Sequence, residues 1–203
     1  MELFQILGDY YWRENFEINN QNLIDFAYEL QDKSEGREVS NKGGFQTECP
    51  PWIENSHELH NKIIDTANLQ IKKDLELRDD VEFYMLELWC NINPPGAENI
   101  PHTHTVFEYN RVTPLSVISG TYYAKLPKGS GSIVFTKQNN NEIIVPGQFI
   151  KNKNNKFYAK AHQIQTVEQE CVFWFSDLQH FVEKNTSEHD RISYSFNLGL
   201  NYR

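Results

Sequence analysis

The sequence of 203 residues is poor in cysteine, carries no excess of positive charge and has no long apolar run. Its three cysteines, Cys49, Cys90 and Cys171, are widely spaced and form no CxxC pair, which excludes a disulfide framework and a zinc ribbon. No segment approaches the length of a membrane-spanning helix. Met1–Gln5 lacks the basic residues and the apolar run of a signal peptide. We therefore expect a cytoplasmic protein without a membrane partner.

Positive charge is scarce as well as unclustered. The 19 Lys and Arg residues are outnumbered by 28 Asp and Glu residues, which gives a formal net charge of -9. Nucleic-acid backbones and anionic membranes attract proteins through basic patches, so neither is expected as a partner. The acidity by itself indicates solubility and no particular activity.

The pattern of apolar residues changes along the chain. Helical spacing predicts amphipathic helices over residues 20–31 and 56–77. The polar, glycine-rich residues 36–47 between them precede Pro50–Pro51, and this composition predicts a loop or an irregular strand. After residue 80, short apolar and aromatic segments are separated by Asn, Gly and Pro, which predicts strands over 81–92, 102–108, 115–126, 132–136, 142–145, 148–150, 156–164, 171–175 and 191–200.

This spacing of strands is typical of a jelly roll or a related antiparallel barrel. The length fits one domain. We therefore expect a mainly β protein with flanking helices, a single domain over 1–203. Its helical N-terminal part, about 1–80, would pack on a β core, about 81–203.

Two histidines, His102 and His104, are two residues apart in a segment that we expect to be extended. Side chains at i and i+2 of such a segment point to the same side and can bind one metal ion. His180 follows the apolar strand 171–175 through a short turn. It can complete a three-ligand face with open positions, as in non-haem iron oxygenases. Surface or structural roles are the alternative for all three, and are our interpretation of His57, His60, His162 and His189.

Arg191 and Ser193 are also two residues apart, on the last predicted strand. An inward-facing arginine on an apolar strand needs an anionic partner, and its planar guanidinium can hold a carboxylate through two parallel hydrogen bonds. An internal salt bridge is the alternative. Together with the histidines, this pair indicates an oxygenase that depends on iron and 2-oxoglutarate.

Over roughly residues 36 to 200 the chain carries an ordered set of short segments. They are Gly43–Thr47, Gly96 with Asn99 ahead of His102–His104, Ser119–Tyr123, Gly131–Phe135, Pro146–Gly147, Phe175 ahead of His180, and Arg191–Asn197. This set resembles the iron(II)/2-oxoglutarate oxygenase superfamily, and more closely a family of such oxygenases from marine bacteria and cyanophages.

The resemblance implies a double-stranded β-helix (jelly roll) that uses Fe(II) and 2-oxoglutarate. It makes His102 and His180 iron ligands, and it implies that 2-oxoglutarate chelates the iron through its keto acid end. Arg191 with Ser193 would bind the far carboxylate, and Tyr123 would contact the same cosubstrate. The implied reaction is hydroxylation of a small-molecule or peptide substrate that the sequence does not identify.

His104 stands where the superfamily usually has Asp or Glu, which leaves the metal site one negative charge short. Glu108 is an alternative source of a carboxylate, although four residues along a strand separate the two by about 13 Å.

Two other functions stay open. Gly96, His102, His104 and Glu108 have the spacing of the first cupin motif, which would indicate a metal-dependent dioxygenase or isomerase without 2-oxoglutarate. The second cupin motif is missing before His180, and this interpretation leaves Arg191 without a role. The other alternative is a non-catalytic β-barrel that serves as a binding or structural module.

Overall fold

The computed structural model describes residues 1–6, 9–49, 56–105, 115–136 and 161–202. Three α-helical segments lie in these ranges, α1 (Asn20–Lys33), α2 (His57–Thr66) and α3 (Lys72–Asp74), and a π-helical turn, Ala67–Ile71, joins α2 to α3. The strands in these ranges are β1 (Glu2–Ile6), β2 (Asp9–Asn15), β3 (Asn41–Lys42), β4 (Phe45–Gln46), β5 (Val81–Asn93), β6 (Glu98–His102), β7 (Ile118–Lys125), β8 (Ile133–Thr136), β9 (Ala161–Ile164), β10 (Glu170–Phe175), β11 (His180–Val182) and β12 (Arg191–Tyr202).

These strands form two antiparallel sheets. Within the described ranges the major sheet has the order β1-β2-β10-β7-β12-β5-β4, and the minor sheet has the order β3-β6-β11-β8-β9. Such a pair of sheets is the jelly-roll architecture, so the predicted fold class is confirmed. Among the helices in these ranges, none is long and apolar enough to cross a membrane.

The two faces of the major sheet differ because side chains alternate along each strand. On β12, Ile192, Tyr194 and Phe196 lie in the main apolar core. The intervening side chains of Arg191 and Ser193 line a cavity instead. Along β12, one face of the sheet is therefore apolar and the other is polar.

The helices cover the apolar face. Helix α1 begins after Asn19, whose side chain accepts a hydrogen bond from the backbone N–H of Gln21 (3.1 Å). Leu59 and Ile63 of α2 are fully buried in the same core, and each contributes about 1.5–3 kcal/mol by burial. The Tyr194 hydroxyl donates to the carbonyl of Leu23 (2.7 Å), which ties β12 to α1. The polar face is thereby left to the cavity.

A second apolar cluster packs the two sheets against each other. Tyr123 and Trp174 come from the major sheet, and Ile133, Phe135 and Ile164 come from the minor sheet. The rings of Phe135 and Trp174 meet edge to face with their centroids 5.3 Å apart. This packing sets the spacing of the sheets beside the polar cavity.

Several elements differ from the sequence-based expectation. Residues 1–80 contain β1 to β4 besides the helices, and β2 pairs with β10 of the major sheet. Of the strand predicted over 102–108, His102 is the last residue of β6, residues 103–105 belong to no strand, and residues 106–108 lie outside the described ranges. Strand β11 was not predicted. The strands predicted over 142–145 and 148–150 lie outside the described residues. The division into one domain stays a prediction.

Candidate active site

Three histidine side chains converge where β6 and β11 pair. His102 is the last residue of β6 and lies opposite His180, the first residue of β11. His104 follows two residues later, and its backbone N–H donates to the carbonyl of Ser176 (2.8 Å). One ring nitrogen of each histidine lies within 4.8 Å of the others. The fold thus brings together the three residues that the sequence analysis selected as metal ligands.

Neighbouring carbonyl groups set the tautomers of two of these rings. Nδ1 of His102 lies 2.7 Å from the carbonyl oxygen of Ile100, and Nδ1 of His180 lies 3.0 Å from that of Leu178. A carbonyl oxygen only accepts hydrogen bonds, so Nδ1 carries the proton in both rings. Nε2 therefore keeps its lone pair, which is the form that binds a metal.

The third ring, His104, has the same arrangement with a side-chain partner. Its Nδ1 lies 2.8 Å from Oδ1 of Asn197. Its Nε2 lies 3.0 Å from Nε2 of His102. Two nitrogens that bind one ion at a right angle are separated by about 3 Å when each bond is about 2.1 Å long. The spacing of these lone pairs therefore fits a shared divalent ion.

Burial keeps the three imidazoles neutral. It lowers the pKa of His104 to about 4, with a further contribution from the neighbouring His102. Burial also lowers the pKa of His102, and together with the other two imidazoles it holds that of His180 well below the usual value. A metal ligand must be deprotonated, so these rings are ready to bind an ion at neutral pH.

Aromatic side chains surround the histidines. The ring centroid of Trp89 is 5.5 Å from that of His104. Those of Trp174 and Phe135 are 4.8 and 5.7 Å from that of His180. This apolar shell limits the access of water and holds the rings in place.

Arg191 has the features of an anion-binding residue. Its side chain is buried, with 3% of the residue exposed, and its Nε has no hydrogen-bond partner among the described residues. One Nη donates to Oδ1 of Asn93 (3.2 Å). Arg191 forms no ion pair with any residue in the described ranges, so the internal salt bridge considered above is not observed there. Burial lowers the pKa of this guanidinium. An unpaired buried cation costs stability unless a ligand supplies the anion.

The arginine and the histidines share one cavity of about 200 Å³. Burial raises the pKa of Tyr123 to about 12, although the nearby Arg191 opposes this shift. The phenol is therefore protonated at neutral pH and can donate a hydrogen bond. Six cavity-lining residues are those selected from the sequence: His102, His104, His180, Arg191, Ser193 and Tyr123.

The remaining sequence candidates lie elsewhere. His57 and His60 are on α2, His162 is exposed on β9, and His189 lies in the connection before β12. None of them belongs to the cluster. Glu108 lies outside the described residues, so the choice between Glu108 and His104 stays a prediction.

Two further cavity residues, Glu87 and Asn197, received no site role in the sequence analysis. Both line the cavity beside His104, and the Asn197 amide contacts both the Glu87 carboxylate and the His104 ring. The sequence pattern that could have indicated these two residues is the alternation along β5 and β12, where the polar side chains at every second position face the cavity.

The two sheets, the histidine cluster and the buried arginine define an oxygenase of the double-stranded β-helix class. A family model described as "Putative 2OG-Fe(II) oxygenase" matches residues 87–197. The chain belongs to this family and is a 2-oxoglutarate-dependent oxygenase whose reaction requires iron(II). The match selects this function over the cupin-type and non-catalytic alternatives.

Several solved structures share the fold. A prolyl-4-hydroxylase from Pseudomonas putida is 15% identical, with a TM-score of 0.59, and the match covers 93% of this chain and 91% of that chain. The collagen prolyl hydroxylase of Paramecium Bursaria Chlorella virus-1, in a 2-oxoglutarate complex, is 13% identical, with a TM-score of 0.58 and coverages of 94% and 96%. HygX from Streptomyces hygroscopicus, with nickel and 2-oxoglutarate bound, is 9% identical, with a TM-score of 0.57 and coverages of 93% and 82%. No curated protein sequence matches the chain.

Proposed function

We propose that the protein is a hydroxylase in which His102, His104 and His180 bind iron(II) through Nε2. In this proposal Arg191, with Ser193 and Tyr123, binds 2-oxoglutarate. The observation that carries the proposal is that three Nε2 lone pairs and an unpaired buried guanidinium face one cavity.

The bound iron and 2-oxoglutarate supply the oxidising power that converts a substrate C–H bond to C–OH with O2, while 2-oxoglutarate becomes succinate and CO2. The role of Arg191 is to bind the far carboxylate through its planar fork. The Tyr123 hydroxyl donates a hydrogen bond to the same end of the cosubstrate. Trp89 and Trp174 keep water away from the three imidazoles.

The substrate in this proposal is a small molecule or a peptide, and the location is the cytoplasm. The location is supported by the three cysteines, Cys49, Cys90 and Cys171, all of which are free thiols. The formal net charge of -9 argues against nucleic acid as a partner.

The test of the metal ligands is an anaerobic titration with Fe(II) or with Co(II) as a stable substitute. We expect His104→Ala and His180→Ala to weaken metal binding at least 100-fold, because each variant removes one of three ligands. His162→Ala is the matched control, since that ring is exposed on β9. Glu108→Ala is also expected to keep the wild-type affinity. Loss of metal on Glu108→Ala with little change on His104→Ala would contradict this ligand set.

The test of the reaction is the release of succinate from 2-oxoglutarate by the iron-loaded enzyme. We expect the wild-type protein to release succinate. Arg191→Lys should lose this activity, because lysine keeps the positive charge but lacks the planar guanidinium that binds a carboxylate through two hydrogen bonds. Metal binding without any response to 2-oxoglutarate would favour the cupin-type alternative.

A further inference from the structure

Asn197 links the candidate metal ligand His104 to a carboxylate. Its Nδ2 donates to Oε2 of Glu87 (2.5 Å), and its Oδ1 accepts from the Ser119 hydroxyl (2.7 Å) and faces Nδ1 of His104 (2.8 Å). The Asn197 side chain is buried, with 3% of the residue exposed. The two ends of its amide therefore have distinct partners.

Glu87 determines which way this amide points. An ionised carboxylate has no proton to donate, so only the NH2 group of Asn197 can face it. Rotation of the amide by 180° would place Oδ1 against the carboxylate, which is repulsive. The oxygen of the amide is therefore directed to His104, and the His104 proton must lie on Nδ1.

A chain of serines continues the hydrogen-bond network on the other side of the amide. The Ser119 proton is donated to Asn197, so the Ser176 hydroxyl, 2.8 Å away, must donate to Ser119. The Ser116 hydroxyl, 2.6 Å from that of Ser176, donates in turn. All three serines are buried. Each hydroxyl can donate in either direction along this chain, so the serines follow the orientation of the amide, and Glu87 sets it.

The strand register places Glu87 and Asn197 opposite each other. They are paired residues of β5 and β12, and the register shifts immediately beyond them, where Leu198 pairs with Met85. An extra residue at this point forms a bulge that re-aims the neighbouring side chains. The contact therefore depends on a local irregularity of the longest ladder in the described part of the sheet.

The charge of Glu87 also fits the site. Among the described residues that line the cavity, Glu87 is the one carboxylate. The usual triad has an Asp or Glu at the position of His104. The three histidines of this chain therefore carry one negative charge fewer than the usual triad. A carboxylate separated from His104 by a single amide supplies that charge through the hydrogen bonds and makes the imidazole a stronger ligand.

We infer that Glu87 and Asn197 are positioning residues that fix His104 as the Nδ1–H tautomer and direct its Nε2 lone pair to the metal. The inference rests on the proposed role of His104 as a ligand. It assigns the missing carboxylate of the triad to the second layer of the site, one amide away from the ion.

The tautomer of His104 is measured without metal by long-range ¹H–¹⁵N correlation NMR at pH 7.5, with the signal assigned through His104→Gln. We expect the Nδ1–H form in the wild-type protein. Glu87→Gln is expected to give a mixture of both tautomers, because a neutral amide allows Asn197 to rotate. Glu82→Gln, which makes the same charge change at the far end of β5, is the control and should keep the wild-type form. An unchanged Nδ1–H signal in Glu87→Gln would overturn the inference.

A rescue experiment separates positioning from a merely structural role. The double variant Glu87→Gln, Asn197→Asp moves the carboxylate next to His104 and Ser119, where it only accepts. We expect Glu87→Gln to weaken Co(II) affinity by about 10–100-fold and the double variant to recover most of it. Affinity that falls further in the double variant would contradict the inference. If the wild-type protein bound no metal while the tautomer still depended on Glu87, the proposed function would fail and the positioning role of Glu87 and Asn197 would stand.

Discussion

Arg191 keeps a guanidinium buried with no ion pair in the described residues and with its Nε unpartnered. Desolvation of such a cation is costly, and the cost is recovered only when an anion binds. Arg13 is a useful contrast, because its guanidinium donates to Glu170 (2.7 Å) and to the carbonyl of Gln165 (2.9 Å). Arg13 therefore has an anionic partner within the fold, whereas our proposal assigns the anion for Arg191 to a ligand.

We therefore expect Arg191→Met to leave the free energy of unfolding of the ligand-free protein unchanged or to raise it by about 1–3 kcal/mol. Arg13→Met should lower it by about 1–3 kcal/mol, because Glu170 loses a charged partner. Urea denaturation of both variants measures these values. Arg191→Met should also abolish stabilisation by 2-oxoglutarate. Strong destabilisation by Arg191→Met would indicate that this arginine has a structural role.

The convergence of the candidate residues on one cavity was predictable from the sequence, whereas their hydrogen-bond partners were not. His102, His104, His180 and Arg191 were selected because their spacing and residue types limit what they can do. The role of Asn197 depends on a pairing with a residue 110 positions away. Such a pairing, with a bulge beside it, is set by the tertiary fold and has no local signature.

At the scale of elements, the strands with strong apolar content were predicted within a few residues, as for β5, β7, β8 and β12. The hairpin of β1 and β2 was not predicted from the sequence, because it is stabilised by pairing with β10 and by the ion pair of Arg13 with Glu170. Strand β11 has three residues and exists only through its pairing with β6 and β8. Short strands of this kind depend on their neighbours more than on their own composition.

Strand β7 depends on the absence of a side chain at Gly120. A Cβ there would lie 2.2 Å from Cζ of Phe196 and 2.6 Å from the carbonyl oxygen of Val172. We expect Gly120→Ala to lower the free energy of unfolding by about 2–3 kcal/mol through overpacking. Gly96→Ala is the control, since nothing lies within 4 Å of its Cβ position and only its φ of +88° is strained, at a cost of about 1 kcal/mol. Equal effects in urea denaturation would contradict the steric explanation.

At the scale of the whole molecule, buried tyrosines limit stability in base. Burial raises the pKa of Tyr123 to about 12, and it also raises the pKa of Tyr122 and Tyr194. In the unfolded chain these phenols ionise near pH 10. Their contribution to stability is therefore fully present below pH 10 and is lost as the pH rises towards 12, at up to about 1.4 kcal/mol per pH unit for each group. Denaturation curves from pH 8 to 11 measure this fall, and a constant midpoint over that range would contradict it.

We expect metal binding and cosubstrate binding to be coupled, because the three histidines and Arg191 line the same cavity of about 200 Å³. A ligand held at one end by the guanidinium and at the other by the metal binds weakly when either is missing.

We expect 2-oxoglutarate to bind the Co(II)-loaded protein at least 10-fold more tightly than the metal-free protein. Linkage then requires it to tighten Co(II) binding by the same factor. Isothermal titration calorimetry measures both directions. Glutarate is the control, because it keeps the carboxylate for Arg191 but lacks the keto group, so its affinity should change little with metal. Equal affinity for 2-oxoglutarate with and without Co(II) would show that the two groups do not bind one cosubstrate.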